Sequence, residues 1–155
     1  MFQTLIRRSI GILMSLLLFG CSDTVRTSYV TFEEVQKTNS TAKLWLPEFL
    51  PSSAFNIWEE HNIDTNTVTG EFDCKPEDLS KVTMSLERIT GQAAVRVHQT
   101  AMKISGRIKP AVTYDIFGWK ADVLGVGYVV VNNATGSVLF WTERVLPKSK
   151  PLGSN

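Results

Sequence analysis

A hydrophobic stripe at helical spacing follows Pro76, in residues 76–91. Positions that recur every three or four residues lie on one face of an α-helix. Pro76 suits the first residue of that helix and Gly91 suits its end. We therefore expect a helix here, the third in chain order. Its apolar face would consist of Leu79, Val82, Leu86 and Ile89.

Two shorter helices are predicted upstream of this one. Thr31 and Glu34 have the spacing of a capping box, which predicts a helix from about residue 32 to 38. Ser52 or Ser53 could cap a second helix, whose apolar face would consist of Ala54, Ile57, Trp58 and His61. The prolines of residues 43–51 favour an extended, bent segment between the two.

Strand patterns dominate the second half of the chain. Residues 67–74 have strand composition, with Gly70 as a candidate bulge, whereas residues 92–110 fit either a strand or a helix. The segment Asn133-Ala134-Thr135-Gly136 predicts a hairpin turn. The strands expected after position 111 cover residues 112–119, 127–132 and 137–144.

These elements predict an α+β fold, in which an antiparallel sheet with a C-terminal meander or hairpin packs on two or three helices. Residues 31–146 are expected to form one globular domain. The polar residues 21–30 are expected to be a tether and residues 147–155 a disordered tail.

Composition narrows the function classes. Of the 155 residues, 43% are hydrophobic and 20% are charged, as in globular proteins. Without residues 1–20, which hold two arginines, 16 − 2 = 14 basic residues face 15 acidic ones. Because this balance lacks the basic excess of nucleic-acid binders, we expect no nucleic-acid partner.

The amino-terminal segment has the layout of a secretory signal. Arg7 and Arg8 precede the apolar run Ile10–Phe19, which Gly20 and Cys21 follow. As a helix, residues 9–20 would reach only about 18 Å, whereas a bilayer core is roughly 30 Å thick. An ordinary cleaved signal and a short buried helix are two interpretations of this segment.

The segment Leu18-Phe19-Gly20-Cys21 resembles the lipobox of bacterial lipoproteins. The resemblance implies cleavage before Cys21 and attachment of diacylglycerol to its sulfur. Ser22, in place of an aspartate, resembles the outer-membrane-directed class of these lipoproteins, although Asp23 follows it. The expected location is therefore the cell envelope, with a lipid anchor in the outer membrane facing the periplasm.

One segment concentrates side chains that could bind a metal or transfer protons. It lacks the spacing of known metal motifs, so we expect no metal and no cofactor. The alternative is a helix end with His61 packed beside Trp58 and with turn bonds from its polar residues. The candidates are Glu59, Glu60, His61, Asp64 and Asn66.

Two other features carry alternative interpretations. Trp119 and Trp141, in the predicted strands, could form a stacking platform for a glycan or partner, or could lie in the core. Cys74 would be the free thiol of the mature protein, either reactive or structural.

Residues 45–66 resemble a segment of small bacterial proteins of unknown function, and this likeness implies a folded module without a known activity. The leading hypothesis is a non-enzymatic, membrane-anchored interaction or accessory module with an envelope protein as partner. The alternative is a small-ligand or glycan-binding lipoprotein. An envelope hydrolase using Glu59, Glu60 or His61 is the third hypothesis.

Overall fold

Seven strands form one antiparallel sheet in the computed structural model, which describes residues 23–39, 41–121 and 125–143. Their order across the sheet is β1-β2-β3-β7-β6-β5-β4, so the first and fourth strands are the edges. The strands are β1 (Thr24–Thr31), β2 (Phe55–Asn62), β3 (Thr67–Asp73), β4 (Glu87–Arg88), β5 (Asp115–Ala121), β6 (Gly125–Asn132) and β7 (Ser137–Glu143).

Three α-helices of the described residues lie in the connections. They are α1 (Phe32–Lys37), α2 (Leu79–Thr83) and α3 (Gly91–Ile104). Short 3₁₀ turns cover Thr41–Trp45 and Pro76–Asp78. Strands therefore account for most of the regular structure.

The front face of the sheet, defined here as the side of Ile57, Val68, Phe72 and Phe140, carries the larger hydrophobic cluster. Residues from the β1–β2 connection and from α2 complete it, among them Val35, Leu46, Phe49 and Val82. Because side chains alternate along a strand, the intervening residues belong to the back face.

The back face carries a second cluster that is confined to one part of the sheet. Ile116, Val130, Leu139 and Trp141 come from β5, β6 and β7, and Val97 and Ala101 come from α3. Consequently β6 and β7 are buried on both sides, which explains the continuous apolar run of residues 129–131.

The antiparallel sheet of the predicted α+β fold is confirmed. The C-terminal hairpin has its turn at residues 133–136, and β3 lies where strand composition placed it. The predicted first helix is also confirmed as α1. Glu34 reaches back as a capping-box residue would, but its carboxylate accepts the amide of Val30 at 2.6 Å, and Thr31 makes no cap bond.

The predicted helix over residues 54–61 is wrong, because this segment is strand β2. Ile57, Glu59 and His61 are buried, with more exposed residues between them. The alternation was hidden in the sequence because a buried position holds the charged residue Glu59. The helical spacing of Ile57, Trp58 and His61 was therefore coincidental.

The predicted helix over residues 76–91 is too long. The 3₁₀ turn and α2 end at Thr83, and β4 follows before Gly91. Gly91, which we expected to end a helix, instead begins α3 with a φ of 63°. The ambiguous stretch after Gly91 is thus mainly helical.

The segment expected to be extended from residue 43 begins in a 3₁₀ turn, although Leu46 and Phe49 do pack on the core.

The predicted tether differs most from the structure. Residues 24–31 form β1, which pairs with β2 from Thr24 opposite Asn62 to Thr31 opposite Phe55. Gly70 forms no bulge, since the register shift lies between Phe55 and Trp58. The predicted signal peptide 1–20, the lipidation site Cys21 and the predicted tail 147–155 lie outside the described residues.

Candidate functional site

The candidate proton-transfer residues separate on folding. Glu60 and His61 are neighbours on β2, so they lie on opposite faces of the sheet. Glu60 is exposed on the back face, and His61 is buried on the front face. Asp64 and Asn66 belong to the β2–β3 turn, where Asn66 has a φ of 53°. The structure therefore does not bring these four residues into one site.

Glu59 and His61 form a buried pair on the front face. The Glu59 Oε2 and His61 Nδ1 atoms lie 2.8 Å apart, and the two side chains are 0% and 6% exposed. Trp45 stacks on the His61 ring, with ring centroids 4.3 Å apart and an angle of 6° between the planes. The Trp45 indole therefore covers one face of the His61 imidazole.

Burial raises the pKa of Glu59, and hydrogen bonds from His61 and Thr27 oppose this rise. Burial, followed by the nearby charge of Glu59, also raises the pKa of Tyr29. Among the described residues, the second carboxylate oxygen of Glu59 and the Tyr29 hydroxyl have no hydrogen-bond partner.

This cluster is poorly suited to catalysis. A general acid or base must come within hydrogen-bond reach of its substrate. Glu59 is fully buried, and Trp45 covers His61. The His61–Trp58 packing that we considered from the sequence is not found, since Trp58 faces the back and Trp45 takes its place.

The two predicted platform tryptophans lie on opposite faces and cannot form one surface. Trp119 packs on the front face against Phe49 and Phe140. Trp141 is 3% exposed and belongs to the back-face cluster with Tyr128. The core alternative therefore describes Trp141 correctly.

A polar network that the sequence analysis missed crosses the back face from β1 to β3. The Arg26 guanidinium lies 4.3 Å from the centre of the Trp58 ring, and the Trp58 indole donates to Glu71 at 3.3 Å. Arg107, from the loop after α3, donates to Glu71 at 3.3 Å and also to Asp73. These residues are far apart in the sequence, so only the register of the strands reveals the network.

Arg107 and the two carboxylates line a cleft of about 480 Å³. Burial opposes ionisation of Asp73, but hydrogen bonds from Ser137, Arg107 and Asn56 together hold its pKa below the usual value. The guanidinium is thus engaged by acids of its own chain. Tyr114 and Ile108 also line this cleft.

Cys74 is buried, and burial together with nearby carboxylates raises the pKa of its thiol to about 11. Since the thiolate is the reactive form, this thiol is inert at neutral pH. The structural interpretation of Cys74 therefore fits its surroundings. No cluster of metal-binding side chains occurs in the described part of the chain.

The long edge strand β1 has peptide groups that point away from the sheet. The Ile63 amide donates to the Asp23 carbonyl at 3.2 Å, so Asp23 points toward β2. Because peptide groups alternate in direction along an antiparallel strand, those of Thr24, Arg26, Ser28 and Val30 point outward. The Glu34 carboxylate already binds the outward amide of Val30. No other described strand pairs with this side of β1.

The fold therefore defines a mainly β protein, a seven-stranded antiparallel sheet with short helices in its connections. Residues 23–73 match the family described as the YbbD head domain. The matched part spans β1 to β3 and includes the Glu59–His61 pair with Trp45 and Tyr29, about a third of the chain. No curated protein and no solved structure matches the chain. Among the described helices, none has the length and apolar character needed to cross a bilayer.

Proposed function

We propose that this protein is a lipid-anchored, non-enzymatic interaction or accessory module of the bacterial cell envelope. The anchor is the lipid on Cys21, in the outer membrane with the folded part facing the periplasm. The lipobox residues Leu18 to Cys21 support this anchor. The observation that carries the interaction role is the free outer edge of β1.

Free edges of this kind bind partners by strand addition. Outward amides and carbonyls give affinity to an extended segment of another protein, and side-chain pockets give specificity. β1 has eight residues, of which Val25 and Val30 are 43% and 65% exposed. The opposite edge strand, β4, has only two residues. A partner would therefore add to β1.

Burial of Glu59 and His61 supports a role without catalysis. An enzymatic use of the pair would require removal of Trp45 from the imidazole. Glu60, the third candidate of the hydrolase hypothesis, lies on the other face. We accordingly propose no enzymatic activity and no cofactor.

The anchor is tested by metabolic labelling with a palmitate analogue. We expect the wild type to be labelled and Cys21→Ala to be unlabelled. An unlabelled wild type would remove the anchor from this proposal. The interaction role is tested separately, by crosslinking in intact cells followed by purification of the protein from membranes.

For that test, Ser28→Pro removes one outward amide, and proline is tolerated at such positions of edge strands. The matched control Ser28→Ala keeps the amide and loses the hydroxyl. We expect Ser28→Pro to reduce partner recovery at least tenfold, with Ser28→Ala near the wild type and all three proteins melting at similar temperatures. Equal recovery with both variants would exclude strand addition at this edge.

A small-ligand or glycan-binding role is the second candidate, favoured by the cleft beside Arg107. The half-buried Trp58 ring lies next to this cleft through the shared partner Glu71. Aromatic rings and paired polar groups are typical of sugar contacts. Calorimetric titration with soluble peptidoglycan fragments separates this role from strand addition, because Arg107→Met should abolish ligand binding and leave Ser28-dependent partners bound.

A further inference from the structure

The start of β1 lies close to the proposed anchor. Only Ser22 and Asp23 separate Cys21 from Thr24. Three steps along an extended chain span at most about 11 Å. A lipid on Cys21 would therefore hold the start of β1 at the membrane surface, without the spacer that the sequence suggested.

The β2–β3 turn lies beside the start of β1. The Ile63 amide donates to the Asp23 carbonyl at 3.2 Å, and the Asn62 side chain donates to the Thr24 hydroxyl at 3.0 Å. These two hydrogen bonds hold the turn, residues 63–66, beside the start of β1. The start of β1 is the part of the sheet that the proposed anchor would keep near the membrane. Any surface that holds Cys21 must therefore lie near this turn.

This end of the sheet exposes apolar side chains. Ile63, in the turn, is 61% exposed, and Val126, at the start of β6, is 47% exposed. Val25 adds a third exposed side chain on β1. The opposite end also exposes apolar side chains, with Val30 at 65% and Phe55 at 41%, near the β6–β7 turn Asn133-Ala134-Thr135. Apolar exposure alone therefore does not distinguish the two ends, and the short link from Thr24 to Cys21 decides which end faces the lipid.

The charges at this end are mostly acidic. Asp23 and Asp64 share a hydrogen bond, which raises the pKa of Asp23. Glu143 pairs with Val126 in the sheet, and Lys120 is the neighbouring base on the other side of Val126. Contact with lipid would therefore depend on the apolar side chains and be opposed by anionic headgroups.

We propose that the β2–β3 turn, residues 63–66 with the exposed Ile63, rests on the surface of the membrane that holds the lipid anchor. This inference depends on the proposed lipidation of Cys21. It goes beyond the proposed anchoring because it also gives the orientation of the folded part relative to the membrane. The sheet would stand with the β2–β3 turn toward lipid and the β6–β7 turn away from it.

The experiment uses the full lipidated protein in phosphatidylcholine vesicles that contain a doxyl-labelled lipid as quencher. Ile63→Cys and the matched control Ala134→Cys are each labelled with an environment-sensitive fluorophore, in a Cys74→Ala background. We expect quenching of at least twofold and a blue shift for the label at position 63, with no change at position 134. Both labelled proteins should float with the vesicles.

The outcomes separate the two proposals. If both proteins float and neither label is quenched, the anchor stands and the orientation is overturned. If neither protein floats, the anchor and the orientation both fail. When phosphatidylglycerol is added, the acidic side chains should reduce quenching at position 63, and stronger quenching would contradict the arrangement.

Discussion

The two halves of the sheet differ in how many of their faces are covered. β5 to β7 are covered on both faces, and β6 contributes three consecutive valines that are all 0% exposed. β1 to β3 are covered on the front face, whereas their back face carries Arg26, Glu60 and other exposed polar groups. The comparison indicates that the first half leaves a polar face exposed, whereas the second half is the more completely buried and should provide most of the stability.

Truncation of one large side chain in each half gives the strongest test of this comparison. Phe140 is fully buried and contacts Phe49, Phe72 and Trp119. Phe140→Ala should lower the free energy of unfolding by about 3–5 kcal/mol. Trp58→Ala, on the open back face, should cost less, about 1–2 kcal/mol, through the lost contact with Arg26 and the lost hydrogen bond to Glu71. Urea unfolding of both variants measures the difference, and equal losses would contradict it.

The buried Glu59 of β2 offers a second test, based on how the stability of the protein depends on pH. Burial raises the folded pKa of Glu59 above its ordinary 4.5. At low pH, where the side chain is protonated, burying it therefore costs the folded state less than it does when the side chain is ionised. That contribution is lost as the pH rises through the folded pKa. Glu59→Gln should therefore gain stability relative to the wild type over the pH range that begins at the ordinary pKa of 4.5 and extends upward through the folded pKa. Denaturant midpoints across this range check the sign, and a constant difference would contradict it.

The smallest expected effect concerns Asp73, at the border between the two halves. Its folded pKa lies below the ordinary 3.8, so its contribution to stability is present above that value. It is lost as the pH falls through the folded pKa. Asp73→Asn should remove this part of the acid transition, and thermal melting from about pH 5 downward should show a flatter curve than the wild type. Since Arg107 is 44% exposed, high salt should shrink the effect.

The second half of the fold could be predicted from the sequence with more success than the first. The turn at residues 133–136 and the apolar strands beside it carry strong local signals, and both were found. β2 was missed because its alternation includes the charged Glu59. β1 was missed because an edge strand with one exposed face has a polar composition. In both cases the burial that decides the structure comes from distant parts of the chain.

The candidate site was predicted as a set of residue types but not as an arrangement. His61 and Glu59 do meet, yet as a buried pair covered by Trp45. The network of Arg26, Trp58, Glu71 and Arg107 has no local signal, since its members come from β1, β2, β3 and a loop. Strand register, which a single sequence does not specify, creates it.

The pairing of β3 with β7 has a consequence for biosynthesis. Thr69 pairs with Trp141, and 141 − 69 = 72 positions separate them. On the ribosome, β1 to β3 emerge well before β7, so the inner edge of β3 stays open to other nascent chains until β7 has also emerged. The segment that matches a family on its own thus depends on β7, far downstream in the sequence, to pair with its inner edge.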